Sequence, residues 1–148
     1  MKCEIVCIID RSGSMASIAK DAIGGFNTFL EEQKKVKGEA TLTFIQFDTD
    51  YEIIHENKPL FDVPKLNEST FQPRGATALL DAVGKTIDSV GKRLSNMQEN
   101  NRPEKVIVAI LTDGEENSSK EYTLSKVREM ITHQRDKYQW EFIFLAAN

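Results

Sequence analysis

The chain has 148 residues, 40% of them hydrophobic and 28% charged, and it carries a formal net charge of −4 at pH 7. This length allows one domain, whose core buries roughly 70% of the surface that the unfolded chain exposes, so stability requires no disulfide or structural metal. The net negative charge excludes electrostatic binding of nucleic acid as the main activity. No apolar run approaches the roughly 20 residues that a helix needs to span a bilayer.

The first half of the chain alternates predicted strands with a helix. Residues 3–9 are apolar almost throughout, which predicts a strand covered on both faces. Residues 17–34 have apolar side chains at helical spacing, residues 40–47 alternate with the period of a strand, and residues 51–55 predict a short antiparallel edge strand. Residues 57–74 include three prolines and are predicted to be irregular. The apolar stripe of the helix consists of Ile18, Ala22, Phe26, Phe29 and Leu30.

The second half continues this alternation. Residues 78–95 predict a helix, residues 96–102 a polar loop, and residues 105–112 the clearest strand of the chain. Residues 123–137 predict a third helix and residues 140–146 a last strand. The inward-facing side chains are predicted to be Leu79, Leu80, Val83, Ile87, Val90 and Leu94 in the first of these helices and Leu124, Val127, Met130 and Ile131 in the second.

Strands that alternate with helices predict an α/β fold with right-handed crossovers. We expect a single domain, residues 1–148, built as a Rossmann-like three-layer sandwich. Its central sheet is predicted to be mostly parallel, with one short antiparallel edge strand and helices on both faces. Such sheets bind ligands at the carboxyl ends of their strands, where the strand order reverses.

Cysteines and histidines limit the redox state and the metal type. Cys3 and Cys7 are predicted to share one face of a strand about 13 Å apart, too far for a disulfide, which needs Cα atoms within about 7 Å. Reduced thiols, and a strand-like run at residues 4–9 in place of a signal peptide, favour a cytoplasmic protein, bacterial or viral. His55 and His133 form no His-x-x-x-His pair, so zinc is not expected.

Oxygen-bearing side chains cluster at the predicted carboxyl ends of strands. D-R-S-G-S at 10–14 follows the first strand, T-D-G at 112–114 ends the strand at 105–112, and G-A-T at 75–77 enters the second helix. If the sheet winds outward from the first strand and returns to its other side, these loops meet. Hard oxygen donors suit magnesium, manganese or calcium rather than zinc or copper. The candidate metal residues are Asp10, Ser12, Ser14, Thr77 and Asp113.

These motifs resemble the von Willebrand factor A domain and its metal-ion-dependent adhesion site, whose pattern is Asp-x-Ser-x-Ser, then a distant Thr, then a distant Asp. The resemblance covers essentially the whole chain, although family members generally add another helix and strand after the segment that ends here at residues 146–148. It implies that Ser12 and Ser14 coordinate the ion directly. It further implies that Thr77 binds directly or through water, while Asp10 and Asp113 hold waters and hydroxyls around the ion.

The resemblance favours a binding module over an enzyme. In the family, a magnesium or manganese ion, with calcium as a further option, grips a Glu or Asp carboxylate of a protein partner. The alternative is a magnesium-dependent phosphoryl-transfer enzyme with Asp10 as nucleophile, but such enzymes usually carry a second carboxylate where Ser12 stands here. No activated Ser-His pair and no Gly-x-Ser-x-Gly elbow is found. A monomer is expected, with pairing through the edge strand at 140–146 as the alternative.

Neighbouring residues have simpler interpretations. Ser14 or Thr77 could cap the helix that follows, a role compatible with metal binding. Asp48 and Asp50 are interpreted as a turn, although Asp48 ends a strand and could approach the cleft. Exposed arginines at 11 and 74 flank the motif and could meet acidic groups of a partner.

Overall fold

The computed structural model describes residues 2–36, 38–112 and 118–146. Within these ranges the chain forms five strands and three α-helices, with short 3-10 turns at Gly13–Ile18, Leu60–Asp62 and Glu99–Asn101. In chain order the elements are β1 (Lys2–Asp10), α1 (Ala19–Lys34), β2 (Glu39–Phe47), β3 (Tyr51–Pro59), α2 (Leu79–Ser95), β4 (Lys105–Thr112), α3 (Leu124–Tyr138) and β5 (Glu141–Ala146).

The five strands form one mixed sheet in the order β3-β2-β1-β4-β5. β1 pairs in parallel with both β2 and β4, β4 pairs in parallel with β5, and β2 pairs with β3 in the antiparallel direction. The predicted α/β class, the mostly parallel sheet and the antiparallel edge strand are therefore confirmed. So is the predicted adjacency of the first strand and the strand at 105–112. The strand order reverses at β1, because the chain leaves it toward β2 and later returns to its other side.

Side chains of β1 alternate between two apolar clusters. Ile5, Cys7 and Ile9 pack with α1 on one face, while Val6 and Ile8 pack with α2 and α3 on the other. Burying a large aliphatic side chain contributes about 1.5–3 kcal/mol, so these two clusters hold the helices against the sheet. The predicted helical stripes are confirmed for the buried residues Ala22, Phe26 and Leu30 of α1 and Val83, Ile87, Val90 and Leu94 of α2.

Three sequence-based expectations differ from the structure. The helix predicted from residue 17 begins as an α-helix at Ala19, because a 3-10 turn precedes it. The edge strand predicted to end at residue 55 continues to Pro59, since shifts of register against β2 and a left-handed Asn57 (φ 48°) absorb the irregularity. Leu124, predicted to face inward, is 52% exposed because Tyr122 packs against α2 instead.

At the amino ends of the strands, α2 is fixed to the sheet by an ion pair. Glu4 of β1 is buried and accepts hydrogen bonds through both carboxylate oxygens from Arg93, with Nη1 to Oε1 at 3.0 Å. The hydroxyl of Thr43 donates to the same carboxylate at 2.9 Å. A buried carboxylate is tolerated when it is paired and hydrogen-bonded in this way. This end of the sheet is therefore closed by polar contacts, opposite the end where the candidate site lies.

The two cysteines are free thiols, as predicted, and both contact the α1-side cluster. Burial raises the pKa of Cys7 to about 12, which makes this thiol a poor nucleophile. No helix in the part of the chain that the structure describes is long and apolar enough to cross a membrane.

Candidate metal site

Asp10 joins the ends of two neighbouring strands. It is the last residue of β1, and its side chain is 0% exposed. Its Oδ1 accepts the backbone N–H of Ser12 at 2.7 Å, and its Oδ2 accepts the hydroxyl of Thr112, the last residue of β4, at 2.9 Å. An Asp that binds the N–H two residues on forces a tight turn. Asp10 therefore turns the chain away from β1 and fixes the start of the Ser12–Ser14 loop against β4.

The two serines of this loop bring their hydroxyls together. Ser12 is buried and Ser14 is exposed, and their hydroxyls are hydrogen-bonded to each other, with the Oγ atoms 3.0 Å apart. Neighbouring ligands of an octahedral magnesium ion, each about 2.0–2.1 Å from the metal, are about 2.9 Å apart. The buried side chain of Met15 anchors the loop from below, at the start of the 3-10 turn. The serine pair thus has the spacing of two adjacent ligands of a small divalent ion.

Thr77 lies on a loop that is held directly beside the serine loop. The N–H of Arg74 donates to the carbonyl of Arg11 at 2.7 Å, and the N–H of Gly13 donates to the carbonyl of Gly75 at 2.8 Å. Gly75 has φ 70°, a left-handed conformation that glycine adopts without strain. Thr77 itself is buried. The structure therefore brings together the loops that carry Ser12, Ser14 and Thr77, as the sequence predicted.

Asp113 lies in a segment outside the described residues, so its role stays a prediction. The described residues on either side of that segment both contact the site loops. Thr112 donates to Asp10, and the N–H of Ser118 donates to the carbonyl of Thr77 at 2.9 Å.

Asp81 fixes the chain that follows this segment, a role that the sequence analysis missed. Its carboxylate accepts the N–H groups of Lys120, Glu121 and Tyr122 at 2.8, 3.0 and 2.9 Å. Its own N–H donates to the hydroxyl of Ser119 at 2.9 Å. The first turn of α2 is thereby tied to the chain that enters α3. An acidic residue in the first turn of a helix was the available signal, but it does not name the distant partner.

Asp48 and Arg11 form an ion pair behind the loops. The Nε of Arg11 donates to Oδ2 of Asp48 at 3.3 Å, and both side chains are almost fully buried. Arg74 donates from Nε to the same oxygen at 3.0 Å, while its own side chain stays exposed. The interpretation of Arg11 as an exposed arginine is therefore wrong, because its guanidinium turns inward to Asp48 and also meets Glu52 at 2.5 Å.

Ionised Asp48 is favoured by its partners. Burial alone would raise its pKa, but the N–H of Asp50, the guanidinium of Arg74 and the charge of Arg11 together outweigh burial and lower the pKa. Asp48 also accepts the N–H of Asp50 at 2.5 Å, so the turn interpretation is right but incomplete. Its position directly after a buried parallel strand was the signal that placed it at the same sheet edge as Asp10.

The donor chemistry of the site suits a hard cation. Across residues 2–36, 38–112 and 118–146, no three His, Cys, Asp or Glu side chains form a group that could hold a metal ion. The candidate set has another composition, with the carboxylate of Asp10 and the hydroxyls of Ser12, Ser14 and Thr77. Uncharged hydroxyls are weak ligands for zinc or copper but acceptable ones for magnesium and manganese.

No protein-family model matches the chain. No curated protein matches it either.

Proposed function

We propose that this chain is a metal-dependent protein-binding module of the von Willebrand factor A type, not an enzyme, with a Rossmann-like three-layer architecture. Magnesium or manganese is held by the hydroxyls of Ser12, Ser14 and Thr77, with Asp10 and Asp113 orienting hydroxyls and waters around it. The observation that carries the proposal is the pair of serine hydroxyls 3.0 Å apart beside a fully buried carboxylate. Reduced Cys3 and Cys7 fit an intracellular location.

The residues fit the ion in charge as well as in spacing. Both oxygens of Asp10 already accept hydrogen bonds, so this carboxylate orients the serine loop and balances charge from behind it. The hydroxyls bring no charge of their own. When bound, the ion therefore keeps enough positive charge to attract an acidic group, and the partner that fits is a protein with an accessible Glu or Asp side chain.

The phosphoryl-transfer alternative fits the geometry less well. A nucleophilic aspartate must reach a phosphorus atom, yet Asp10 is 0% exposed and both of its oxygens are engaged. The position two residues on, where a general acid would stand, holds Ser12, whose hydroxyl contacts Ser14. A hydroxyl with an ordinary pKa is a poor general acid at neutral pH.

Isothermal titration calorimetry with manganese chloride tests the proposal. We expect one site in the wild-type protein and a loss of at least tenfold in affinity in the double variant Ser12→Ala/Ser14→Ala, because it removes two direct ligands. The matched control is Ser89→Ala/Ser95→Ala, which removes two serine hydroxyls from exposed positions of α2 and should bind manganese as the wild type does. Equal affinity in both double variants would refute the assignment.

Two further measurements separate the functional classes. Adding N-acetylglutamate to the manganese-loaded protein should displace metal-bound water and lower the relaxation rate of water protons, whereas N-acetylglutamine amide, which has no carboxylate, should not. Magnesium-dependent hydrolysis of para-nitrophenyl phosphate should be absent. Turnover that disappears in Asp10→Asn would support the enzyme instead.

A further inference from the structure

We infer that Asp48 is a positioning residue, which holds the serine loop and the Thr77 loop of the metal site in a fixed arrangement and so makes the site prefer magnesium over calcium. The inference rests on the proposed function, because it concerns the same ion.

Asp48 contacts both the serine loop and the Thr77 loop at this edge of the sheet. Through Oδ2 it holds Arg11 of the serine loop and Arg74 of the Thr77 loop, at 3.3 and 3.0 Å. Its carbonyl accepts the N–H of Ala78 at 3.0 Å. Its Oδ1 closes its own turn at Asp50. The Asp48 carboxylate therefore bridges the loop that carries Ser12 and Ser14 and the loop that carries Thr77, in addition to the backbone hydrogen bonds that join them directly.

The two contacts of this bridge differ in exposure. Arg11 and Asp48 form an ion pair shielded from water, and removing one partner of such a pair leaves an uncompensated charge in the interior. Arg74 reaches the same carboxylate from an exposed position. The left-handed Gly75 of the Thr77 loop lies near Asp48, since a Cβ on this glycine would lie 3.5 Å from the Cβ of Asp48. The buried contact with Arg11 is therefore the firmer part of the bridge.

Loop spacing matters more to one ion than to the other. Magnesium demands a nearly ideal octahedron with short metal–oxygen distances, whereas calcium accepts more ligands at longer and more variable distances. The candidate hydroxyl ligands are divided between the two loops, with Ser12 and Ser14 on one and Thr77 on the other. If the loops drift apart, magnesium loses affinity while calcium adapts. Contacts that hold the loops in place therefore raise the preference of the site for magnesium over calcium.

The test is the ratio of the calcium dissociation constant to the magnesium dissociation constant. Both constants are obtained by displacing Mn²⁺ from the protein and recording free Mn²⁺ by electron paramagnetic resonance. In Asp48→Asn the side chain keeps its shape and can still accept from Asp50, but it loses the charge that holds both arginines. Because residues that orient metal ligands typically contribute 10–100-fold in affinity, we expect magnesium binding to weaken about tenfold, calcium binding to change little, and the ratio to fall about tenfold.

Two more variants keep the test interpretable. Arg74→Ala removes the exposed arginine that contacts Asp48, so this variant should fold normally and lower the ratio about threefold. If Asp48→Asn does not fold, this variant decides the question. Asp136→Asn removes an exposed carboxylate of α3 that meets the neighbouring Arg135 and should leave the ratio unchanged. Circular dichroism before each titration establishes that the variant is folded.

The outcomes are distinct. A fall in the ratio for Asp48→Asn or Arg74→Ala, with Asp136→Asn unchanged, supports the inference. A purely structural role would lower the melting temperature and leave the ratio as in the wild type, which overturns the inference while the proposed function stands. If the wild-type protein binds neither manganese nor magnesium, the proposed function itself fails, and this inference fails with it.

Discussion

Aspartates near the site order the chain through backbone N–H groups. Asp10 accepts the N–H of Ser12, Asp48 that of Asp50, and Asp81 those of residues 120–122. A hydrogen bond to a charged group contributes about 1.5–3 kcal/mol, more than one between neutral groups. At the scale of single residues, loop conformation around the candidate site therefore depends on ionised carboxylates, and loops held in this way respond to pH.

We predict that Asp81→Asn destabilises the protein by about 1–2 kcal/mol at neutral pH, because an amide is a weaker acceptor for three N–H groups. Burial raises the pKa of Asp81, but the three backbone hydrogen bonds and the Lys85 charge outweigh it and lower the pKa below 3.8. The stabilisation by Asp81 is therefore present above pH 3.8 and is lost as the pH falls through the lower pKa of the folded state.

Urea unfolding at neutral pH and well below pH 3.8 measures this difference. The gap between wild type and Asp81→Asn should shrink in acid. Asp136→Asn is the control, because this exposed aspartate meets only its neighbour Arg135 at 3.5 Å, and it should change the free energy of unfolding little at either pH. A gap for Asp81→Asn that is the same at both pH values would contradict the prediction.

Sequence patterns located the loops of the candidate site but not the residues that support them. Asp10, Ser12, Ser14 and Thr77 stand out because a short motif follows a buried strand or enters a helix. The bond from Thr112 to Asp10 and the bridge from Asp48 to Arg11 join residues 102 and 37 positions apart in the chain. Such contacts are set by the pairing of strands, and no local spacing encodes them.

At the scale of elements, α2 carries two glycines in contrasting surroundings. A Cβ on Gly84 would lie 2.3 Å from a ring carbon of Tyr122, whereas a Cβ on Gly91 would have the amide of Gln134 as its nearest neighbour at 3.9 Å. The hydroxyl of Tyr122 donates to Asp88 at 2.6 Å, one turn along the same helix. Because Gly84 has no side chain, the ring of Tyr122, in the segment before α3, can pack directly against the α2 backbone.

We predict opposite effects of alanine at these two glycines. Gly84→Ala should destabilise the protein by about 1–2 kcal/mol, because the clash with the ring outweighs the gain in helix propensity. Gly91→Ala should stabilise it by about 0.5–1 kcal/mol, since alanine restricts the unfolded chain and meets no obstacle. Urea unfolding of both variants gives the two values.

A double variant checks the cause. Combining Gly84→Ala with Tyr122→Ser removes the ring, so the two changes together should cost less than the sum of their separate effects. Strict additivity would contradict the packing explanation.

The sequence predicted regular elements better than their junctions. The strand predicted at 105–112 has the same bounds as β4, because an apolar run between two polar residues defines where the strand begins and ends. Tyr122 was not singled out, since one aromatic residue before a helix has no periodicity to detect. Leu124 was predicted to face inward because its position fits the helical spacing of the apolar residues. That spacing does not show which part of the core surface the preceding loop covers.

At the scale of the whole molecule, the two edges of the sheet differ in character. The β3 edge carries Glu52, Glu56 and Lys58, and its register against β2 is irregular. The β5 edge carries Phe142, Ile143 and Phe144 in succession, and Phe144 is 60% exposed. Charges and irregularity protect an edge strand from pairing with another chain, while a regular apolar edge invites it.

We predict that Phe144→Lys lowers the tendency of the protein to associate, because a charge on this edge opposes strand pairing. Static light scattering at rising protein concentration should give weaker attraction between molecules than in the wild type. The matched control is Phe61→Lys, which replaces a phenylalanine that is 74% exposed but lies on a 3-10 turn outside both edge strands. If both variants reduce association equally, general hydrophobicity rather than the edge is responsible.

The central position of β1 in the sheet has a consequence for how the candidate site could exchange its proposed ion. This strand is hydrogen-bonded to β2 on one side and to β4 on the other, and apolar clusters cover both of its faces. We therefore expect its amide hydrogens to exchange with solvent only when the whole sheet unfolds. It nevertheless ends at Asp10, four residues before the exposed Ser14. If the proposed ion binds at that loop, its loss or exchange is thereby uncoupled from unfolding, and the protein can bind and release the ion many times while the central sheet stays folded.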